Sequence, residues 1–165
     1  MLGEIQPAPE WRQLSQWAVD SEQGTVMLDD ESVTDSGWLM EKPIKIKHFT
    51  DFMVWQKAHA LFLCLLKDVE SFPRRQVGSI LTDQILRSSG SISANIAEGF
   101  NRSTKKFLSS LDIAIGETNE TENWLYKIRD AVFLPLATVN ARIEQTKEIG
   151  RMLNGLIRSL DKNGL

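Results

Sequence analysis

The sequence predicts an all-α fold, an antiparallel up-down-up-down four-helix bundle that follows an N-terminal extension of irregular or mixed structure. Two observations predict it. From Phe49 onward, apolar residues recur at intervals of three and four in four long stretches, as on the buried side of an amphipathic helix. Proline or glycine separates these stretches, and the short connections place consecutive helices antiparallel. We therefore divide the chain into an extension at 1–47 and a bundle at 48–165.

The first two predicted helices are bounded by capping and breaking residues. Thr50 or Asp51 is expected to cap a first helix that continues to about residue 71 and stops before Pro73. Its expected buried residues are Phe52, Trp55, Leu63, Leu66 and Val69. A second helix is expected over 76–98. Its expected apolar side consists of Val77, Leu81, Ile85, Ile92 and Ile96.

The third and fourth predicted helices show the same periodicity. The third is expected over 103–133, and Pro135 ends it. Its heptad seam consists of Phe107, Leu111, Ala114, Thr118, Thr121, Leu125, Ile128 and Val132. Thr138 is expected to cap the fourth helix, which ends near Asn163 and Gly164. Its expected apolar residues are Val139, Ile143, Thr146, Leu153, Ile157 and Leu160.

The stretch that joins the second and third helices predicts a tight structural corner. Gly99 is expected to supply the left-handed residue that closes a helix, and Ser103 or Thr104 can cap the next one. Asn95 and Glu98 are polar residues in an otherwise apolar helix end. We expect them to satisfy backbone groups or to pair with Arg102, since burying them unpaired would cost about 1–3 kcal/mol each. The alternative is that they face a subunit contact or a ligand.

The composition is that of a soluble globular protein, and its charge is unevenly spread. The chain has 165 residues, a net charge of −3 and 42% hydrophobic residues. No apolar run reaches the roughly 18 residues of a membrane span, and the start lacks the pattern of a signal peptide. Cys64 is the only cysteine, which favours a reducing compartment, and we expect a cytoplasmic protein.

The extension at 1–47 is acidic and rich in tryptophan. It carries nine acidic and four basic side chains, a balance of −5, whereas the remainder has a balance of +2. Trp11, Trp17 and Trp38 give it more aromatic surface than a solvated tail usually carries. Either the extension packs on its own bundle, or it is an arm whose tryptophans bind a neighbouring subunit or a partner.

No arrangement of residues predicts catalysis, a metal or a cofactor. His48 and His59 lack the Glu-x-x-His spacing of bundle metal sites, and two histidines with one cysteine make a zinc site improbable. Nucleophile-elbow, phosphate-loop and dinucleotide motifs are absent from the sequence. We therefore expect a protein that is not an enzyme, with no catalytic residue, no metal and no cofactor.

Basic residues form two groups that could contact nucleic acid. Arg74 and Arg75 follow the first helix, while Arg102, Lys105 and Lys106 follow the second, at the opposite end of an antiparallel bundle. In a ring of subunits each group would repeat around the axis and form a belt. Simple solvation of the surface is the alternative interpretation.

Four ordered motifs carry a resemblance to a known family. They are Phe49-Thr50-Asp51-Phe52-Met53-Val54-Trp55-Gln56-Lys57-Ala58, Phe72-Pro73, Ser91 to Gly99 with Arg102, and Ile113-Ala114-Ile115-Gly116 with Glu120 and Leu125. The chain resembles the four-helix bundle proteins encoded in 23S rRNA intervening sequences, a family that includes the accessory protein of diversity-generating retroelements. The resemblance implies a non-enzymatic homopentamer. In the retroelement branch it also implies binding of a reverse transcriptase and of RNA or DNA.

The chain departs from the family pattern in places. Ser93 stands where the family usually has proline, and Leu86-Arg87 stands where it often has two arginines, which leaves Arg87 as a weaker nucleic-acid candidate. Gly116-Glu117-Thr118 replaces the more usual Gly-Ser-Leu.

The first functional hypothesis is an oligomeric accessory or scaffold protein that binds nucleic acid or a reverse transcriptase. The alternative is a protein-interaction module whose extension binds a partner without nucleic acid, and deletion of 1–47 would separate the two.

Overall fold

The computed structural model describes residues 46–162, which form four long α-helices. They are α1 (Met53–Asp68), α2 (Gln76–Gly99), α3 (Thr104–Asp130) and α4 (Leu136–Lys162). One short 3-10 turn precedes α1 at Phe49–Asp51, and another follows it at Val69–Ser71. The described part of the chain contains no strand, so the predicted all-α class is confirmed. The extension with its three tryptophans lies outside this range, apart from residues 46 and 47.

The helices close into an antiparallel bundle. α1 and α3 each pack against both α2 and α4, so that the four helices surround one core. The rings of Phe52 and Phe107, at the starts of α1 and α3, have centroids 5.8 Å apart. The rings of Phe72 and Phe133, just beyond the ends of the same two helices, are 5.3 Å apart. α1 and α3 therefore run in one direction and α2 and α4 return, as the short connections predicted.

The buried seam of α3 follows the predicted heptad. Seven of its residues are buried: Phe107, Leu111, Ala114, Thr118, Thr121, Leu125 and Ile128. The apolar side predicted for α2 is confirmed at Leu81, Ile85, Ile92 and Ile96. Full burial of such a side chain stabilises the fold by about 1.5–3 kcal/mol relative to exposure, so this seam supplies much of the folding free energy.

Three residues predicted to be buried are exposed. Leu66 is 43% exposed, because the buried side of α1 passes through its neighbour Leu65. Val77 is 50% exposed in the first turn of α2, and Val132 is 82% exposed beyond the end of α3. Leu63, like Phe52, Trp55 and Val69, is only partly buried, so none of the residues predicted for the core from the first helix is fully buried. The buried side of α1 instead consists of Val54, Ala58, Leu61 and Leu65. In α2 and α3 the prediction failed at the helix ends, where one side of the helix has no neighbour to pack against.

Two predicted caps are also wrong. Thr50 and Asp51 belong to the 3-10 turn, and α1 begins after Phe52, whose side chain makes no capping hydrogen bond. α4 begins at Leu136, before Thr138, and the carbonyl of Pro135 accepts the N–H of Val139 at 3.1 Å. Pro135 thus lies directly before the fourth helix as well as separating it from the third, and its fixed φ suits a position at a helix start.

Small polar side chains complete the core. The hydroxyl of Thr121 lies 3.0 Å from that of Ser88, which joins α3 to α2 inside the bundle. Thr118 donates to the carbonyl of Ala114 at 2.7 Å, and Ser89 to that of Ile85 at 2.6 Å. Because each hydroxyl has a partner, these residues allow close helix contact without an unpaired buried group. α2 is continuous through Ser93.

Candidate nucleic-acid interface

The connection between α2 and α3 is a tight corner, but its left-handed residue differs from the predicted one. Gly99 is the last helical residue of α2, and Asn101 has a φ of 60°. The prediction for Gly99 was therefore wrong in its conformation. Asparagine adopts this region more readily than most residues because its short polar side chain can form local hydrogen bonds. Ser103 precedes α3 but makes no side-chain capping hydrogen bond.

Gly99 has a different structural role, which is to permit close contact between α2 and α3. A Cβ atom on this buried residue would lie 2.7 Å from Cδ2 of Phe107 and 2.8 Å from Cβ of Ser110. Both distances are shorter than real Cβ atoms tolerate. The end of α2 therefore rests directly against the first turns of α3, and this contact fixes the corner.

Asn95 and Glu98 have separate partners. The Nδ2 of Asn95 donates to the carbonyl of Ser91 at 2.8 Å, within the same helix, so this side chain does not bond to the corner. Glu98 forms an exposed ion pair with Arg102 at 3.3 Å. An exposed pair of this kind contributes little stability, about 0–1 kcal/mol. Arg102 therefore remains accessible to another anion.

The corner carries three exposed cations within five positions, Arg102, Lys105 and Lys106. Both lysines lie in the first turn of α3, where the positive end of the helix dipole disfavours them. Among residues 46–162, neither lysine forms an ion pair with a carboxylate. Helix stability therefore does not account for their presence.

A row of aromatic rings leads along the start of α1 to this corner. His59 stacks on Trp55 with centroids 5.0 Å apart and an angle of 11°. The ring of Trp55 lies 5.3 Å from that of Phe49, which in turn lies 6.4 Å from Phe100. His48 lies 4.0 Å from Phe49. Both histidines are exposed, and the other three rings are partly buried. The row is therefore partly accessible to solvent.

We define the corner surface by its exposed cations and adjacent rings. It consists of His48, Phe49, Phe100, Arg102, Lys105 and Lys106. Sequence reasoning identified the cations but missed the rings, because Phe100 is some fifty residues from its neighbours in the row. The spacing of Phe49, Phe52, Trp55 and His59 was the available signal, since intervals of three and four align side chains on a helix.

Asp51 fixes the start of the described chain next to the corner surface. Its carboxylate accepts hydrogen bonds from the backbone N–H groups of Lys47, at 2.8 Å, and His48, at 2.9 Å. These two bonds hold the pKa of Asp51 below its ordinary value. The turn therefore keeps His48 and Phe49 against Phe100, and the Asp51 carboxylate is already occupied by its own backbone.

Arg74 and Arg75 lie at the opposite end of the bundle, in the turn between α1 and α2. Both are exposed. Arg74 lines an open groove of about 620 Å³ together with two carboxylates, those of Glu70 and Asp83. The groove's one aromatic ring, that of Phe72, is buried. The groove therefore offers phosphate a mixed charge, and its own lining has no exposed ring.

Arg87 lies between the two ends and is occupied within the bundle. Its guanidinium pairs with Glu120 of α3 and donates to Gln84 at 3.2 Å. Glu120 also accepts the indole N–H of Trp124 at 3.1 Å. Arg87 therefore joins α2 to α3, apart from both end groups of cations.

The described residues also bear on membrane insertion and on metal binding. None of the four helices has the length and apolar character that crossing a membrane requires. In the same range, no group of three His, Cys, Asp or Glu side chains is placed to hold a metal ion.

Comparison with known proteins identifies the family. The family model of the 23S rRNA-intervening sequence protein matches residues 50–155, from the turn before α1 into α4. The chain belongs to this family. The resemblance seen in the sequence is thereby confirmed at the level of the 23S rRNA-intervening sequence proteins, while the retroelement branch stays a prediction. The matched range contains most of the corner surface and excludes the extension.

A solved structure supports the same assignment. It is the 1.70 Å crystal structure of a protein of unknown function from the S23 ribosomal protein family of Bacteroides thetaiotaomicron VPI-5482. The two sequences are 28% identical, and the similarity covers 64% of this chain and 99% of the other, with a TM-score of 0.60. No curated protein matches the sequence.

Proposed function

We propose that this 23S rRNA-intervening sequence protein is a non-catalytic accessory protein that binds single-stranded nucleic acid at the corner surface. The observation that carries the proposal is that one corner of the bundle holds the exposed ring of His48, the partly buried rings of Phe49 and Phe100, and the exposed cations Arg102, Lys105 and Lys106. Proteins that bind single strands combine cations along the phosphate backbone with rings on which bases stack, at about 1–3 kcal/mol per base. The corner surface supplies both kinds of group.

Two features support a non-catalytic role in the cytoplasm. The groove with Glu70 and Asp83 is open, and neither carboxylate is withdrawn from water in the way that general acids and bases usually are. The single cysteine, Cys64, is only partly buried and has no second cysteine to pair with, which suits a reducing compartment. The expected absence of a cofactor is part of this proposal.

Oligomerisation is a second part of the proposal, and the sequence resemblance suggests a homopentamer. Support comes from large apolar side chains that a single chain leaves exposed: Ile46, Met53, Leu66, Val77, Ile80, Ile113, Val132 and Leu136. A ring of subunits would repeat the corner surface around its axis and convert three cations per chain into a belt. A reverse transcriptase is the protein partner that the resemblance suggests.

A matched pair of charge reversals tests the proposal. The first variant combines Lys105→Glu with Lys106→Glu, and the control combines Arg74→Glu with Arg75→Glu at the other end. Binding of a fluorescent single-stranded RNA is measured by anisotropy across a range of salt concentrations. We expect the first variant to lose at least about tenfold in affinity, and the slope of log K against log salt to become shallower by about 0.7 per lost contact.

Two results would overturn the proposed function. Absence of binding by the unmodified protein at low salt would remove nucleic acid as a ligand. Equal losses in both variants would place the contact somewhere other than the corner surface. Light scattering of each variant is the accompanying control, because a change in subunit number would alter apparent affinity through multivalency.

A further inference from the structure

The described chain begins beside the corner surface. The ring of His48 lies 6.2 Å from that of Phe100, which precedes Arg102 by two positions. The segment before residue 46 therefore joins the bundle next to these cations. The arginines of the other end are separated from the corner by the length of α2, whose 24 residues span about 36 Å at 1.5 Å per residue.

The corner and the extension have opposite charge. The corner carries four basic residues and two carboxylates. The basic residues are Lys47, Arg102, Lys105 and Lys106, and the carboxylates are those of Asp51 and Glu98. The first carboxylate is held by backbone N–H groups and the second by an exposed ion pair. The extension has nine acidic against four basic side chains, including the run Asp29-Asp30-Glu31. Its excess of negative charge therefore complements the cations of the corner, of which Lys105 and Lys106 form no ion pair within residues 46–162.

The length of the connection favours this corner over the other end. About 15 residues separate the acidic run from Ile46, and a random coil of that length would have an end-to-end distance of about 22 Å. This distance reaches the corner but is shorter than α2. A tether of this kind also gives the acidic run an effective concentration of about millimolar at the corner, so weak ion pairs suffice for docking.

Aromatic residues supply a second complementary feature. The extension contains Trp11, Trp17 and Trp38, and the corner surface presents the exposed ring of His48 and the partly exposed rings of Phe49 and Phe100. Aromatic pairs contribute about 0.5–1.5 kcal/mol beyond the area they bury. Charge and aromatic content therefore favour the same surface.

From these observations we infer that the acidic extension docks on the corner surface of its own bundle, with its carboxylates against Arg102, Lys105 and Lys106. This inference does not depend on nucleic-acid binding. Where the proposed function holds, the extension and nucleic acid compete for the same cations. The extension then acts as an internal competitor that a higher-affinity strand displaces.

Carbodiimide coupling of the full chain tests the docking directly. The reagent joins a carboxylate to a lysine amine, with loss of water, only where the two groups are in contact, and peptide mass spectrometry locates the link. The ion pair of Lys57 with Glu148, at 2.9 Å between α1 and α4, provides an internal reference for coupling. We expect carboxylates of the extension to couple preferentially to Lys105 and Lys106.

A matched pair of triple variants tests the electrostatic basis of docking. The first carries Asp29→Asn, Asp30→Asn and Glu31→Gln; the control carries Glu70→Gln, Asp83→Asn and Asp130→Asn, three exposed carboxylates at the other end. We expect the remaining extension carboxylates of the first variant to couple to Lys105 and Lys106 about tenfold less. The control variant and the reference link should keep their yields.

Isotope labelling separates docking within a chain from docking between chains. Equal amounts of labelled and unlabelled protein are unfolded in urea, mixed and refolded together before coupling, so that any oligomer contains both labels. Docking on the same bundle then gives links between peptides of one label only. Links of mixed label alone, or extension carboxylates coupled evenly to lysines across the bundle, would overturn the inference. If the unmodified protein shows these couplings but binds no RNA, only the proposed function is refuted.

Discussion

Substitution of Gly99 by alanine should destabilise the bundle, although alanine is the better helix former. The added Cβ would lie 2.7 Å from Cδ2 of Phe107 and 2.8 Å from Cβ of Ser110. The ring of Phe107 can rotate, but Cβ of Ser110 is fixed to the backbone of α3. The end of α2 and the start of α3 must therefore separate, and overpacking of this kind costs about 1–3 kcal/mol.

Gly116 is the matched control for this substitution. It lies exposed within α3, and a Cβ added there would meet nothing within 4 Å. Gly116→Ala should therefore stabilise the protein by about 0.5–1 kcal/mol, the helix preference of alanine over glycine. The two alanine variants should thus differ by about 1.5–4 kcal/mol in free energy of unfolding. Urea denaturation followed by helical circular dichroism measures this difference.

The sign of the Gly99→Ala effect decides whether the reasoning holds. Stabilisation by both substitutions would show that α2 and α3 do not approach as closely at the corner as the structure indicates. Destabilisation by both to the same extent would point to a general effect of alanine in these helices. A specific contact between α2 and α3 at Gly99 is supported only if Gly99→Ala lowers the free energy of unfolding and Gly116→Ala raises it.

Two further predictions concern other features of the bundle. Arg142→Met should cost about 2 kcal/mol in urea denaturation, because it leaves Asp68, only 13% exposed, without its partner at 2.7 Å; an unchanged midpoint would show that the pair contributes nothing. Val132→Gly should stabilise the protein by about 1 kcal/mol, since Val132 is exposed at a φ of 58°, which costs a β-branched residue. A lowered midpoint in that variant would mean that the side chain of Val132 packs against another subunit.

The helices of the bundle could be predicted because each has a neighbour along one whole side. In α3, the intervals from Phe107 to Ile128 follow the heptad closely, and every residue of that seam is buried. Periodicity records only that a side is apolar, however, and carries no information on where a neighbouring helix ends. This is why Val77, in the first turn of α2, was assigned to the core although half of its surface meets solvent.

The corner was located correctly in the sequence but interpreted incorrectly in its conformation. A glycine at the end of a helix usually adopts the left-handed conformation, and that general preference led to the prediction for Gly99. The structure places this conformation at Asn101 and uses Gly99 for helix contact. Close approach between two helices depends on their relative position, which a single sequence does not contain.

The surface chemistry of the corner could be predicted only in part. Arg102, Lys105 and Lys106 are close in sequence, so their proximity in space follows from any helix start near residue 103. The row of rings depends instead on contact between the 3-10 turn at Phe49 and the end of α2 at Phe100, which are distant in the chain. Only the folded bundle brings these groups together.

The same contact that stabilises the corner also positions its surface groups. Gly99 allows α2 to rest on α3, and the next residue, Phe100, then lies 5.9 Å from the ring of Phe52 at the start of α1. Phe100 directs the chain into the turn that carries Arg102 and places the lysines at the first turn of α3. Since lysine is unfavourable at that position of a helix, the stability of the bundle would be served by acidic residues there. The chain instead keeps cations at the corner that also carries the partly exposed rings of Phe49 and Phe100, and this combination is why we propose binding there.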